Sequence, residues 1–322
     1  RFNLPGGFMV PIENTNESVG DDFADIEVST DKNYRIAIHG ELRENKILLA
    51  ADPNYINTLK QAAKNPEQLK AWLYGSWDIV AGGMFDDIWD LKIHVVKRFA
   101  IPLSWKIRRS FDWGSTKPFS VAWWAESDGC DIRLPDGSTR STLKGDVFRI
   151  AEWYGFNGEP NEGLKMLATD ITKGIVEREV RWGYHGRVKP GPADTSIWTT
   201  ENGMCIATDM SKRVRLEDGT EYKGVTWTRA DKSPGSRKNG WETIRKMLSN
   251  SKRKDGLPRE HAGVFIFENC IQFIRTVPVL PRDDKDLDDV ETSSEDHIGD
   301  ETRYYLRSIT NRSSAFKTTG NY

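Results

Sequence analysis

From residue 107 the apolar side chains fall in short runs, KIRRSFDWG, PFSVAWWAE and GDVFRIAEWYGF, each alternating or rich in aromatic and β-branched residues and each closed by turn residues. This pattern predicts three consecutive strands in an antiparallel meander. Between the second and third, DGCDIRLPDGSTR carries two Asp-Gly pairs, the signature of a polar hairpin. The period then lengthens. Over residues 161–184, Leu164, Leu167, Ile171, Ile175, Val176 and Val180 recur at helical spacing, which predicts a helix with one apolar face. Next come the strand and turn of VKPGPADTSIW, the strand GVTWTRA, a helix from about Gly235 to Leu248, the strand GVFIF, a short helix through Phe273, and a last helix holding Asp296 to Ile309. A meander followed by alternating helices and strands predicts a mixed-sheet α/β domain.

The first 60 residues lack this regularity. They mix Gly, Asn, Asp and Pro with short apolar patches, which reads as an irregular arm without a core of its own. After Asp52, a Pro in the first turn and Tyr55, Ile56, Leu59 and Ala62 at helical spacing predict a short helix; a second is expected from Pro66 to Leu73, ending at Gly75. WDIVAGGMFDDIWD then reads as a Gly-punctuated connector. These features divide the chain into residues 1–104, an arm with linker helices, and residues 105–322, the α/β domain. No internal repeat occurs.

Composition narrows the class. The 322 residues hold 12 Trp and 11% aromatic side chains, too many core-formers for a disordered chain and enough length for about two domains. No apolar run approaches a membrane span, RFNLPGGFMV has none of the regions of a signal peptide, and the chain is expected to be an excerpt because it begins at Arg1. Cys130, Cys205 and Cys270 lie far apart with no CxxC spacing, which predicts reduced thiols rather than a disulfide framework or zinc site. A folded, soluble, intracellular protein is expected.

Three acidic positions have unusual surroundings. Asp112 lies between Phe111 and Trp113 at the end of the first apolar strand, Asp194 ends a strand in KPGPADTSIW, and Asp300 lies in SSEDHIGDETRYYL. There Asp296 and Asp300 are one helical turn apart and His297 and Asp300 three residues apart, so all three can share a side. Singly, an Asp before Gly or Thr is most often a turn or capping residue. Jointly, two strand-end carboxylates and one helix carboxylate supply the oxygen ligands that Mg²⁺ or Mn²⁺ requires, and two such ions can promote phosphodiester cleavage.

Charge is also segregated along the chain. Lys plus Arg total 46 and Asp plus Glu 48, yet residues 283–301 hold ten acids and one base, and residues 229–259 ten bases and three acids. Most such runs are solvated faces. Beside an acidic pocket, however, a basic stretch containing Arg237, Lys238, Arg245, Lys246, Lys252, Arg253 and Lys254 can hold a polyanion. With Trp241 its only aromatic, it suits backbone contact better than base stacking.

FDWGSTKPFSVAWWAE, FRIAEWYGFNG, GPADTSIW, GSRKNGWETIRKML, FENCIQFIRTVPVLPRD and DHIGDETRYYL, in this order, resemble the nuclease domain of the large terminase subunit of tailed bacteriophages and prophages. The resemblance runs from about Trp105 to Leu306, and ADPNYINTLKQ with LKAWLYGSWDIVAGGMFDDIWD is similar to the segment that joins the packaging ATPase to that nuclease, which implies that residues 1–104 are the linker and trailing edge of a missing ATPase domain. It implies an RNase H-like fold, a metal-dependent endonuclease acting on concatemeric double-stranded viral DNA during packaging, and two divalent ions, Mg²⁺ or Mn²⁺. It implies Asp112, Asp194 and Asp300 as catalytic metal ligands, with Asp296 and His297 as neighbours that can bind or orient a metal or water, and Asp300 favoured over Asp296 as the direct ligand. The small terminase subunit and portal protein are the implied partners, and the bacterial host's cytoplasm the implied location. No G-x-x-x-x-G-K-[ST] loop occurs, so an ATPase motor is not expected within this chain.

Other readings compete. A resolvase or recombinase nuclease of the same fold also relies on an acidic triad, although the preceding segment argues against it. A non-catalytic docking module would make the Asp cluster structural. A carbohydrate-binding module would need exposed Trp, whereas Trp113, Trp123, Trp124 and Trp153 fall in strand patterns where core packing is expected.

Overall fold

The computed structural model describes residues 26–28, 34–36, 41–62, 73–74, 82–159, 161–200, 203–253 and 256–318. They divide into two units, Arg1–Ala81 and Gly82–Tyr322. In the first, β1 (Ile26–Val28) and β2 (Tyr34–Ile36) form an antiparallel hairpin. A 3-10 turn (Leu42–Glu44) leads to α1 (Lys46–Ala51), capped by the Asn45 side chain, and neither element buries a residue. The next helix, α2, occupies Tyr55–Ala62 as its spacing predicts. Most of the expected Pro66–Leu73 helix lies outside the described residues.

The second unit is built on one mixed sheet. Its strands are β3 (Val95–Val96), β4 (Lys106–Asp112), β5 (Ser120–Glu126), β8 (Val147–Tyr154), β9 (Val188–Lys189), β10 (Pro192–Ala193), β13 (Thr228–Arg229) and β14 (Val264–Phe267). They lie in the order β13-β10-β4-β5-β8-β14-β3, with β9 also beside β4. The predicted meander is present: β4, β5 and β8 pair antiparallel, and every other pairing is parallel, so only β5 runs against the rest. Within this sheet the run β8-β5-β4-β10-β13 is a 3-2-1-4-5 order with the second strand reversed, which is the RNase H-like arrangement. Two short ribbons stand apart, β6 (Ile132–Arg133) with β7 (Thr139–Arg140), the predicted polar hairpin, and β11 (Val214–Arg215) with β12 (Glu221–Tyr222).

Five helices complete the unit: α3 (Leu91–His94), α4 (Ala168–Arg181), α5 (Ile206–Ser211), α6 (Ser236–Ser251) and α7 (Ile271–Thr276), followed by the long terminal α8 (His297–Thr318). The sheet is covered on both faces rather than one. Adjacent Trp123 and Trp124 on β5 are both fully buried; the indole of Trp123 donates to Glu179 of α4, that of Trp124 to Glu301 of α8. Such two-sided burial explains why these strands read as nearly continuous apolar runs.

Two sequence expectations change. Leu164 and Leu167 precede α4 and are exposed, leaving Ile171, Ile175 and Val176 as its buried apolar residues; here residues 161–166 instead form a loop anchored by Gly163, whose N–H bonds to the Thr116 carbonyl. The domain also begins earlier than residue 105. Met84 and Phe85 are buried in its core, β3 extends the sheet edge, and Gly83 bridges Pro281. A Gly-rich stretch with few apolar positions carries too weak a period to announce such packing.

No helix among the described residues is long and apolar enough to cross a membrane. Cys130, Cys205 and Cys270 are all free thiols.

The boundary is testable by truncation. A chain starting at Gly82 is expected to unfold in one cooperative transition, because its core is complete. One starting at Trp105 loses Met84, Phe85 and β3, and its urea midpoint should fall sharply, as burial of two large side chains is worth roughly 3–6 kcal/mol. Equal midpoints would restore the later boundary.

Candidate active site

The candidate site forms where β4 and β10 end side by side. Ala193 of β10 pairs with Phe111 of β4, and the Asp194 N–H bonds to the Phe111 carbonyl at 2.9 Å, so Asp112 and Asp194 follow on neighbouring rungs. Gly191 makes this approach possible. A Cβ there would sit 1.8 Å from the Arg109 carbonyl oxygen, and no side chain fits in that space. Pro192 opens β10, where a missing N–H is tolerated. Asp194 then caps the 3-10 turn Thr195–Trp198, accepting the Ser196 N–H at 2.7 Å.

Helix α8 brings the third group. Its register is set by Glu301, which is fully buried: its carboxylate accepts from the Ser110 hydroxyl on β4 and the Trp124 indole on β5, and pairs with Arg149 of β8 at 2.5 Å. Tyr305, one turn on, stacks on Trp124 with centroids 4.8 Å apart. With that face fixed, His297, Asp300 and Tyr304 lie along the neighbouring side, at spacings of three and four residues. His297 Nδ1 is 3.3 Å from Asp112 Oδ2. The Tyr304 hydroxyl lies 3.0 Å from Asp194 Oδ2 and 3.5 Å from Asp300 Oδ2, joining strand and helix carboxylates.

The cluster is rich in negative charge, and internal cations balance part of it. Lys232 bonds Asp194 at 2.5 Å, and Arg303 makes a two-point contact with Asp300 at 2.7 and 2.9 Å. Arg237, at the start of α6, reaches Asp289 at 2.7 Å, Asp296 at 3.0 Å and Asp300 at 3.2 Å. Asp112, only 5% exposed, has His297 as its basic partner among the described residues. Burial, together with the nearby charges of Asp300 and Asp194, pushes its carboxyl up to about 7 despite the imidazole. For Asp194, burial acts upward, but Lys232 and the Ser196 N–H outweigh it and hold the group below the usual carboxylate range. Burial and the adjacent Asp300 raise Asp296. Burial and the surrounding acids keep the Tyr304 hydroxyl protonated, so it donates to them.

The structure thus gathers Asp112, Asp194 and Asp300, with Asp296 and His297 beside them. By donor chemistry the set fits a hard divalent cation: carboxylate oxygens in excess of nearby positive charge, one of them buried with, among the described residues, a histidine as its basic partner. In the arrangement seen, the internal cations occupy these carboxylates, and among the described residues no three His, Cys, Asp or Glu side chains stand ready to share one ion.

The basic residues are redistributed. Arg237 turns into the acidic cluster, Lys238 pairs with Asp286, and Arg245 grips Asp87 and the Met84 carbonyl. Lys246 and Arg253 remain exposed and Lys252 half-buried, while Lys254 lies outside the described residues. The acidic run 283–301 and the basic run 229–259 therefore partly neutralise each other in space.

Sequence reasoning did not single out Lys232, Arg303, Tyr304, Glu301 or Asn161. The last holds a left-handed backbone (φ 61°), and its Oδ1 is 3.0 Å from His297 Nε2 while its amide donates to the Ser293 carbonyl. The Nε2 proton is thereby fixed toward Asn161, and Nδ1 faces Asp112. The Asn-Glu-Gly stretch was the one local sign of an unusual turn.

These shifts set a pH dependence. An Asp at 3.8 when unfolded and about 7 when folded keeps a proton in the native state that the unfolded chain has lost, so its contribution to stability falls as pH rises between these values. His297, raised above 6.5 by Asp112 against the opposing effect of burial, acts with the same sign, its stabilisation being lost as pH rises through its raised value. Melting temperature is expected to fall from pH 5 to pH 8, and Asp112→Asn to flatten that fall and melt above wild type at pH 8. Calorimetry that finds the variant less stable at pH 8 contradicts the burial account.

No protein-family model and no curated protein matches the chain. Solved structures similar to it include the large terminase from a thermophilic bacteriophage, at 14% identity and TM-score 0.48, covering 79% of this chain and 52% of that one. The same thermophilic phage protein in complex with ADP gives 15% and 0.47, covering 81% and 53%. The P22 large terminase nuclease domain gives 15% and 0.45, covering 70% of this chain and 90% of that one. The chain spans about half the length of the thermophilic phage terminase.

Proposed function

We propose that the Gly82–Tyr322 unit is a metal-dependent endonuclease that hydrolyses phosphodiester bonds in double-stranded DNA, and that the full protein cuts concatemeric viral DNA during genome packaging. The observation that carries this reading is the buried Asp112 carboxylate at the end of β4, one rung from Asp194 and joined through shared neighbours to Asp300. A fold needs no such concentration of acids at one sheet end, and burying it works against stability. The ordered sequence motifs point the same way.

Asp112, Asp194 and Asp300 would hold the two divalent ions, Mg²⁺ or Mn²⁺, with Asp296 and His297 as flanking groups; when bound, the ions supply an activated water and stabilise the departing oxygen. The chain's own groups do the rest. Glu301 and Tyr305 hold α8 against the sheet, so Asp300 keeps its place opposite the strand ends. Asn161 holds the His297 proton on Nε2, leaving Nδ1 toward Asp112. Tyr304 donates to Asp194 and Asp300, fixing their orientation. Lys232, Arg237 and Arg303 lower the mutual repulsion of the carboxylates when no other cation is near. A non-catalytic docking module has no use for the buried Asp112.

The decisive variant is Asp112→Asn, which keeps shape and removes charge. It is expected to abolish nicking of supercoiled plasmid in Mg²⁺ or Mn²⁺ while remaining folded, and to lose the rise in melting temperature that the ion gives wild type. Full nicking in the folded variant refutes the reading.

DNA would be held away from the acids by Lys246, Lys252 and Arg253. Lys252 lies fifteen residues beyond Arg237, or about 22 Å along the helix, a span of roughly six base-pair steps. Neutralising these three should weaken binding to unrelated duplexes alike and reduce the salt slope by up to ~0.9 per lost phosphate contact. A sequence-selective loss in a titration series points instead to base readout.

A further inference from the structure

Beside the acidic cluster lies a cleft of about 510 Å³ that the catalytic reading does not use. One wall is the indole of Trp113, the residue after Asp112; another is Ser196, whose N–H is bonded to Asp194. The cleft therefore opens within two residues of each strand-end carboxylate. Trp113 is half-buried, braced edge-on by Phe111 at 6.1 Å, and its ring nitrogen has no hydrogen-bond partner among the described residues. Met204, also in the lining, is 60% exposed.

The lining chemistry selects the occupant. Among the described residues no Lys or Arg lines the cleft, and its one charged lining residue, Asp209, is paired with Lys212 at 2.7 Å, so nothing in the lining attracts a phosphate. A flat, neutral group with hydrogen-bond donors at its edge is favoured instead. Its face can lie on Trp113, the flexible Met204 side chain can adapt to it, and the oxygens of Asp209, Thr199 and Ser196 can accept from its edge.

We propose that this cleft receives one nucleobase, unstacked from the DNA strand whose backbone lies at the acidic cluster. The inference rests on the nuclease reading for the choice of DNA. It makes the enzyme a reader of local strand opening: a base already unpaired enters without the cost of breaking the duplex, so single strands and frayed ends bind here better than intact duplex. Stacking tolerates any base, so the cleft gives little sequence preference.

Cys205 supplies the test, because its thiol lines the cleft, is half-buried, and is held below the usual thiol range by its hydrogen bond with Thr208. Exposed Cys130 serves as the internal control. The full chain, in EDTA, is treated with iodoacetamide with and without a mixed-sequence 12-nucleotide single-stranded DNA, with saturation followed by fluorescence anisotropy, and alkylation of each cysteine is timed by peptide mass spectrometry. The oligonucleotide is expected to slow Cys205 by about 10-fold or more, the scale of an aromatic–base stack, and to leave Cys130 unchanged. Trp113→Ala should remove that protection, Trp113→Phe should keep it, and Met204→Asp, at an exposed position, should remove it without touching the core.

Unchanged labelling of Cys205 at saturation, absence of oligonucleotide binding, or protection that survives both Trp113→Ala and Met204→Asp overturns the proposal. Because the assay needs no cleavage, the two readings fail separately. Plasmid nicking with Cys205 unprotected removes the base site and keeps the nuclease; protection without Mg²⁺- or Mn²⁺-dependent nicking does the reverse.

Discussion

One buried carboxylate organises the second unit. Glu301 projects from α8 into the sheet and meets Ser110, Trp124 and Arg149, one partner from each strand of the meander. An unpaired charge there is intolerable, because removing one member of a buried pair leaves the other without solvent or partner, at a cost of roughly 3–5 kcal/mol. The helix is thereby fixed in rotation and in height. The placement of the candidate residues on α8 follows from that register: with Glu301 facing the sheet, His297, Asp300 and Tyr304 stand over the ends of β4 and β10. The opposite face repeats the device, with Arg109 and Trp123 of the sheet meeting Glu179 of α4.

A second constraint is the conflict among the acids. The site concentrates carboxylates whose mutual repulsion and burial oppose folding, and the fold answers with Lys232, Arg237 and Arg303. The first two belong to the basic stretch, and the third lies one turn beyond Asp300 on α8. The two charge runs, far apart in the chain, are thus partly paired in space, and among the described residues Lys246, Lys252 and Arg253 toward the C-terminal end of α6 stay exposed or half-buried. The same electrostatics make Asp112 the exception: among the described residues its basic partner is His297, and its carboxyl holds its proton to near neutral pH.

Backbone economy completes the site. Gly191 lets β10 lie against Arg109 of β4, where a methyl group would collide with the carbonyl. The left-handed Asn161 turns its side chain onto His297. Neither residue carries the chemistry, yet each fixes where a chemical group stands.

The sequence by itself determined the local elements and the identity of the candidate acids. Strong periods over KIRRSFD, SVAWWAE and VFRIAEWY impose strands, the Asp-Gly pairs impose the hairpin, and the β4–β5–β8 meander follows because short connections favour neighbouring pairing. Asp112, Asp194 and Asp300 stood out because their neighbours were wrong for solvated charges. Local periodicity does not encode long-range partners, so only the tertiary structure decided the rest. Asp300 and Glu301 look alike in an acidic run, yet one faces the site and the other is the buried anchor. Arg237 reads as a surface base and is a counter-ion, Leu167 reads as core and is exposed, and Met84 and Phe85 in a Gly-rich connector belong to the core. Burial and ion pairing depend on what the rest of the chain brings near, over separations of tens to hundreds of residues. Those contacts exist only once the sheet has formed.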